Sequence, residues 1–116
     1  MCIRDSTSFW LETADDAFRL AQKIDRPNVG VTFNLCHQLR VLGPETVEQT
    51  IKKVLPRLFV VTINGADSVP AGTADWDRLI QPLDAGSFDV YPTLKLLRDL
   101  NYTGTVGLQH LSLIHI

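Results

Sequence analysis

Three short polar clusters hold most of the reactive and hydrogen-bonding chemistry in this sequence. The first is Asn34-Leu-Cys-His37, the second is Thr62-Ile-Asn-Gly-Ala-Asp67, and the third is Gln109-His110. Each closes a stretch that reads as a β-strand. Together they offer amides, a hydroxyl, imidazoles and one carboxylate, the donors and acceptors that suit the hydroxyls of a sugar. Each residue also has a plainer reading. Asn34 and Asn64 suit turns, where their amides bond nearby backbone. His37 suits a structural histidine. Cys36 reads as a small buried residue rather than a nucleophile, because free cysteine packs well in cores. Three strands that all end in polar residues favour a site over three coincidences.

The elements that must position these clusters alternate helix and strand. Thr13-Ala-Asp-Asp16 is written like a capping box, with Thr13 as N-cap and Asp16 where Glu or Gln is usual. Ala17, Leu20, Ala21 and Ile24 follow at helical spacing and predict one apolar stripe. Arg26-Pro27-Asn28 stops that helix, and Val29–Asn34 reads as a strand rich in β-branched and aromatic residues. Gly43-Pro44-Glu45 opens a second helix, with Val47, Ile51, Val54 and Leu55 inward and Glu48 four residues before Lys52. Pro56 ends it. Leu58–Ile63 is a near-continuous apolar run, the pattern of a parallel strand covered on both faces. A long loop runs from Gly65 to about Ser87, with Trp76, Leu79 and Ile80 expected to pin part of it as a short helix. Asp89 starts a third helix, with Val90, Leu94, Leu97 and Leu100 inward, and Thr105–Gln109 reads as the last strand.

Strands joined through helices at this spacing make parallel crossovers. Two architectures use them, a doubly wound open sheet and a (β/α)8 barrel. The doubly wound sheet wants a glycine-rich phosphate loop after its first strand. Phe33-Asn-Leu-Cys-His37 is no such loop, which argues against nucleotide binding. A closed barrel needs roughly 250 residues. The 116 residues here supply about three βα units. In both architectures ligands bind where strands end at their carboxyl side, which is where the three polar clusters lie.

Composition is that of an ordinary globular chain, 45% hydrophobic and 21% charged. The net charge is −2 and the basic residues are scattered, so nucleic acid is not an expected partner. No apolar run approaches the roughly 20 residues of a membrane span, so no membrane partner is expected either. Two cysteines, Cys2 and Cys36, have no metal-type spacing and form no disulfide framework. Met1–Ser6 lacks the apolar core of a signal peptide, which makes the cytoplasm the default location. Met1–Ser6 and Leu111–Ile116 fit neither neighbouring pattern. They resemble translated adapter sequence at the ends of metagenomic gene calls. The expected domain is therefore 7–110, a fragment that lacks its native N-terminus, with 1–6 and 111–116 as non-native ends.

Four segments together resemble the xylose isomerase-like TIM barrel family of sugar phosphate isomerases and epimerases. They are Phe33-Asn-Leu-Cys-His37, Thr62-Ile-Asn-Gly-Ala-Asp67, Leu79-Ile-Gln-Pro-Leu-Asp-Ala-Gly-Ser-Phe-Asp89 and Tyr102-Thr-Gly-Thr-Val-Gly-Leu-Gln109. The resemblance covers nearly everything between the odd ends. It implies an α/β fold, the C-terminal part of a (β/α)8 TIM barrel with parallel strands and covering helices, and a small sugar or sugar phosphate as ligand.

The resemblance further implies a divalent metal such as manganese, magnesium or zinc, held by carboxylates and a histidine at separate strand ends. Here the pattern departs. Asn34 stands where the family commonly has the ligand aspartate, Thr62 at the ligand histidine and Gln109 at the last ligand glutamate. Neutral amides are poor ligands for a hard cation that must shed water. No metal ligand is therefore assigned. His37 matches the histidine that contacts substrate in relatives, three residues after the ligand position.

The expected reading is an isomerase or epimerase-like protein. His37 is its acid or hydroxyl contact and Asp67 a candidate base, while Asn34, Thr62, Asn64 and Gln109 bind substrate. The alternative is a non-catalytic or metal-independent carbohydrate-binding barrel, which the neutral amides favour. The endonuclease branch of the family ranks last, because it needs several metal ions and a basic groove. A fragment without function of its own is the remaining reading, since open barrel pieces expose strand edges. In the Asp84–Asp89 turn, Gly86 supplies flexibility and Asp89 caps the next helix. Gln81 reads as a solvated loop residue, and Tyr102 and Gly104 as structural.

Overall fold

A computed structural model describes residues 2–4, 13–73 and 75–109. Four parallel strands form one sheet in chain order: β1 (Cys2–Arg4), β2 (Gly30–Asn34), β3 (Leu58–Ile63) and β4 (Thr105–Leu108). Helices connect them: α1 (Ala14–Ile24), α2 (Leu35–Val41), α3 (Val47–Val54), α4 (Trp76–Leu79) and α5 (Tyr91–Asp99). The chain is α/β, and the arrangement is a partial TIM barrel. The sequence predicts β2, β3 and β4. β1 is an addition, paired in parallel with β2 through Cys2–Gly30, Ile3–Val31 and Arg4–Thr32. His110 and Leu111–Ile116 lie outside the described residues, as do Met1, Asp5 and Ser6.

The Thr13 cap forms as its sequence requires. Its side chain accepts from the Asp16 N–H at 3.2 Å, satisfying one of the orphan donors of the first turn. The buried face of α1 is rotated from the expected stripe. Ala14, Ala17, Phe18 and Ala21 are buried, whereas Leu20 and Ile24 stay 38% and 41% exposed. Phe18 fills the gap that the small alanines leave against the sheet, and this turns Leu20 outward. Asp25, at φ 49°, ends the helix in the left-handed region. Its carboxylate then meets Arg57 at 2.7 Å, and Arg57 also donates to Arg26 O at 2.8 Å. The two turns at the amino end of the sheet are thus tied together.

The second expected helix arrives in two pieces. Pro44–Thr46 forms a 3-10 turn before α3 begins. Proline fixes φ at the first position, but the tight turn lets Thr46 Oγ1 donate back to Gly43 O at 2.8 Å. Val47, Ile51 and Val54 are buried as predicted, and Glu48 pairs with Lys52 at 2.8 Å on the surface. The α2 helix is an addition, about two turns long and apolar-lined, between β2 and α3. Its fully buried Gln38 donates to Thr46 and Thr50 hydroxyls, both at 2.9 Å, and so fastens α2 to α3. Val90, the N-cap of α5, and Leu97 within it are buried against the core while Leu94 stays 38% exposed. Asp89 is therefore not the N-cap expected of it; its Oδ1 accepts from the Tyr91 N–H at 3.0 Å and closes the turn that leads into the helix.

One core joins these elements. Val31, Phe33, Val61 and Ile63 point from one face of the sheet into a cluster with Ala17, Ala21, Ile51, Val54 and Leu97. Side chains alternate along a strand, so Thr32, Asn34, Val60, Thr62, Thr105 and Gly107 share the opposite face. The Tyr102 hydroxyl lies 2.9 Å from Phe59 O and 2.8 Å from Thr105 O, and it locks the turn into β4.

Candidate active site

The register of the sheet brings the polar strand ends together. Asn34 of β2 pairs with Thr62 of β3, and Thr62 pairs with Gly107 of β4. One step further on the same face, Asn64 and Gln109 face each other, because the Gln109 N–H donates to Ile63 O at 2.9 Å. Asn34, Thr62, Asn64 and Gln109 therefore form one patch at the carboxyl ends of adjacent strands. Asn34 and Asn64 are each only 1% exposed. Thr62 and Gln109 are half-buried. Glycine at 107 keeps the row open: a Cβ there would meet only Thr62 Cγ2 at 3.9 Å.

Each polar group has a definite partner pattern. The Cys36 thiol donates to Asn34 Oδ1 at 3.0 Å. Cys36 is fully buried, as the packing reading of it predicts. Thr62 Oγ1 makes a long contact of 3.5 Å to Phe33 O. Asn64 Nδ2 donates to Gly65 O at 2.7 Å and to Leu79 O. Its Oδ1 is buried with no hydrogen-bond partner among the described residues. A buried acceptor in that state has the full cost of desolvation uncompensated, and it is open to a donor from a ligand or a water.

His37 sits in the first turn of α2, just past the end of β2, and is buried. Its ring lies 5.4 Å from the Trp76 ring at an interplanar angle of 57°. Arg40 stacks its guanidinium 5.0 Å from the centre of the same indole. Trp76 comes from α4, so the expected pinned segment of the long loop exists, and it closes over α2 rather than only over the core. The Gly72 N–H adds a bond to Arg40 O at 2.8 Å. Sequence reasoning gave Trp76 a packing role and gave Arg40 none. The spacing of His37 and Arg40, one helical turn apart, is the signal that both could meet one aromatic ring.

Asp67 stands apart from the strand-end patch. Arg78 Nε and Nη2 both donate to its Oδ2 at 2.7 Å. Gln81 Nε2 donates to Oδ1 at 3.1 Å, and the Ser87 N–H does so at 3.3 Å. The Gln81 bond does most to hold the Asp67 carboxyl below its usual range; burial opposes it, and the Arg78 and Ser87 contacts add to the lowering. Gln81 is thus part of a built loop and not a solvated bystander. Its backbone also forms an antiparallel bridge with Gly65, with N–H to O distances of 2.8 and 3.0 Å. Gly65 must be glycine, since a Cβ there would overlap Pro82 O. Gly86 adopts φ 86°, with Ala66 O where its Cβ would be.

The donor set does not fit a divalent metal. The three strand-end positions hold two amides and a hydroxyl, and Asn34 Oδ1 already accepts from Cys36. No group of three His, Cys, Asp or Glu side chains gathers among the described residues. Two clefts, of about 400 and 290 Å³, lie around Leu83–Leu94 and between α3 and α5. Both are away from the strand ends. No helix among the described residues is long and apolar enough to cross a membrane.

Residues 3–112 match the sequence model of the xylose isomerase-like TIM barrel. The chain belongs to the xylose isomerase-like TIM barrel family. Among solved structures, D-psicose 3-epimerase in the presence of D-fructose is similar, with a TM-score of 0.69 and 19% identity, covering 95% of this chain and 34% of that one. The E. coli 3-keto-D-glucoside 4-epimerase YcjR gives 0.65 and 18%, covering 89% and 34%. The IolI protein with a bound zinc atom gives 0.63 and 20%, covering 86% and 35%. At these identities the likeness is one of fold. The chain spans about a third of the length of these solved structures. No curated protein sequence matches it.

Proposed function

We propose that this chain supplies the C-terminal strand ends of a sugar isomerase or epimerase-like barrel, and that the patch grips a small carbohydrate through neutral hydrogen bonds. The observation that carries this reading is the in-register set Asn34, Thr62, Asn64 and Gln109 with His37 one turn beyond. The open acceptor at Asn64 Oδ1 suits a sugar hydroxyl, and Thr62 and Gln109 each offer a donor and an acceptor. His37 is the group that holds and moves a proton at a substrate hydroxyl. Asp67 enters as the anchor of the overlying loop. A carboxylate with four donors on it and a lowered proton affinity is a weak base. The similar structures include two named sugar epimerases, which supports a sugar as the ligand class.

A second reading follows from the donor set, a metal-independent barrel that binds a carbohydrate without converting it. Proton NMR in D2O with D-fructose separates the two. Binding with exchange of a carbon-bound hydrogen next to the carbonyl supports isomerase chemistry. Binding without exchange supports the second reading. Binding that appears only with added manganese and vanishes with EDTA would overturn the neutral site altogether.

A further inference from the structure

The sheet ends in two open edges, and the strand count makes them complementary. β1 to β4 are all parallel and lie in chain order. Among the described residues nothing pairs with the outer edge of β1 or of β4. A TIM barrel closes with eight parallel strands, and this chain holds half of that number.

The outward edge of β4 can be read residue by residue. Gln109 turns its amide to β3, where it donates to Ile63 O at 2.9 Å. Amide direction alternates along a strand, so Thr105 and Gly107 also face β3, while Val106 and Leu108 aim their N–H groups outward. These two residues also have exposed side chains, at 45% and 65%. They lie on the face that helices cover elsewhere in the sheet. At the opposite end, Leu20 and Ile24 of α1 are exposed beside β1 and β2. Each end of the sheet thus carries an unsatisfied backbone edge with apolar side chains beside it.

We propose that two copies of this chain associate about a twofold axis, with β4 of each pairing in parallel with β1 of the other. Parallel strand direction and chain order are preserved at both junctions. The two junctions are identical by symmetry, as closed dimers require. The ring then has eight strands and no edge, which removes the hazard that open edges present. An antiparallel β4–β4 contact would leave both β1 edges open. The closed ring also sets the two strand-end patches across one mouth, so each candidate site borrows the opposite wall from the partner copy.

Sedimentation velocity on the 116-residue chain tests this, with Val106→Pro as the variant. Proline at 106 removes an outward N–H and leaves the β3-facing donors at 105, 107 and 109 in place. The expected result is a wild-type species of about twice the 13.0 kDa chain mass. The variant should sediment as a monomer with its far-UV circular dichroism retained. A wild-type monomer at 100 μM, a larger aggregate, or a dimer indifferent to Val106→Pro overturns the proposal. Should the variant unfold, hydrogen exchange in the wild type decides. Slow exchange at the Val106 and Leu108 amides in concentrated solution, lost on dilution, supports the ring. Fast exchange at both concentrations refutes it. None of these readouts involves sugar, so the outcome is independent of the proposed ligand.

Discussion

The Cys36 thiol points at the side-chain oxygen of Asn34, 3.0 Å away, at the end of β2. Asn34 belongs to the proposed carbohydrate-binding patch, so the bond bears on both stability and the site. The thiol occupies one acceptor site of that amide oxygen. Cys36→Ala removes the donor and leaves a buried amide oxygen short of a partner, at a cost of about 1–3 kcal/mol. Cys36→Ser keeps a donor and should recover part of that loss. Urea denaturation of the two variants checks the order; equal losses would mean that packing alone matters at this position.

The Asp67 clamp makes stability depend on pH. Its folded-state pKa lies below the unfolded value of 3.8. A depressed carboxyl pKa contributes stability that is fully present above the unfolded value and is lost as pH falls through the folded one. Asp67→Asn should therefore weaken the fold at neutral pH and narrow its gap to wild type as pH drops below about 4. The loop should also open, with faster exchange at the Phe88 and Gln81 amides, which bond to Ala66 and Gly65. A variant whose deficit stays constant from pH 7 to pH 3 would remove the ionic account.

Much of the fold was legible because the signals were local. The Thr13 cap and the apolar run at Leu58–Ile63 each need only a few neighbouring residues. The α1 face was misread because Leu20 and Ile24 fit the same helical period as Phe18, and only the sheet decides which stripe is covered. The α2 helix was missed because it follows β2 with no turn residue between them. The strand-end patch was legible as a set of residue types at strand ends. The clamp was not, since Asp67 meets Arg78, Gln81 and Ser87 across 11 to 20 residues, and no local pattern announces such a meeting.

The loop glycines divide by surroundings. Gly86 and Gly72 both have positive φ, at 86° and 77°. A Cβ at Gly86 would also collide with Ala66 backbone, whereas one at Gly72 meets nothing within 4 Å. Gly72→Ala should cost only the backbone strain, about 1 kcal/mol. Gly86→Ala should cost about 2–4 kcal/mol, because Ala66 must move as well. Thermal melts rank them; a Gly72 variant as damaged as the Gly86 variant would show that the collision is relieved freely.

Trp76 joins α4 to α2 through His37 and Arg40. Trp76→Ala removes a half-buried indole together with a cation–π contact, at a cost of about 2 kcal/mol. Trp76→Phe keeps a ring and should recover about half. Limited proteolysis between Ser68 and Trp76 reports the loop directly. Unchanged cleavage in Trp76→Ala would show that the Gly65–Gln81 bridge and the Asp67 clamp hold the loop by themselves.

Asn64 gives the sharpest separation of amide from acid at the strand ends. Its Nδ2 donates to two carbonyls, Gly65 O and Leu79 O, and those oxygens cannot donate back. Asn64→Asp keeps the shape but points an anion at both. At pH 7 the loss should reach about 3–5 kcal/mol, the cost of leaving a buried charge without a partner. The carboxyl at this position is stabilised in its protonated form, which can donate one bond, so its folded pKa rises. The penalty should accordingly shrink as pH falls from 7 to 4, a range over which the Asp67→Asn deficit stays flat, because Asp67 is held ionised and its contribution is lost only at lower pH. Denaturant midpoints for Asn64→Asp and Asp67→Asn from pH 7 to pH 3 test both windows together. A pH-independent penalty at Asn64 would mean that the side chain swings out to solvent and that its two bonds to the loop are dispensable.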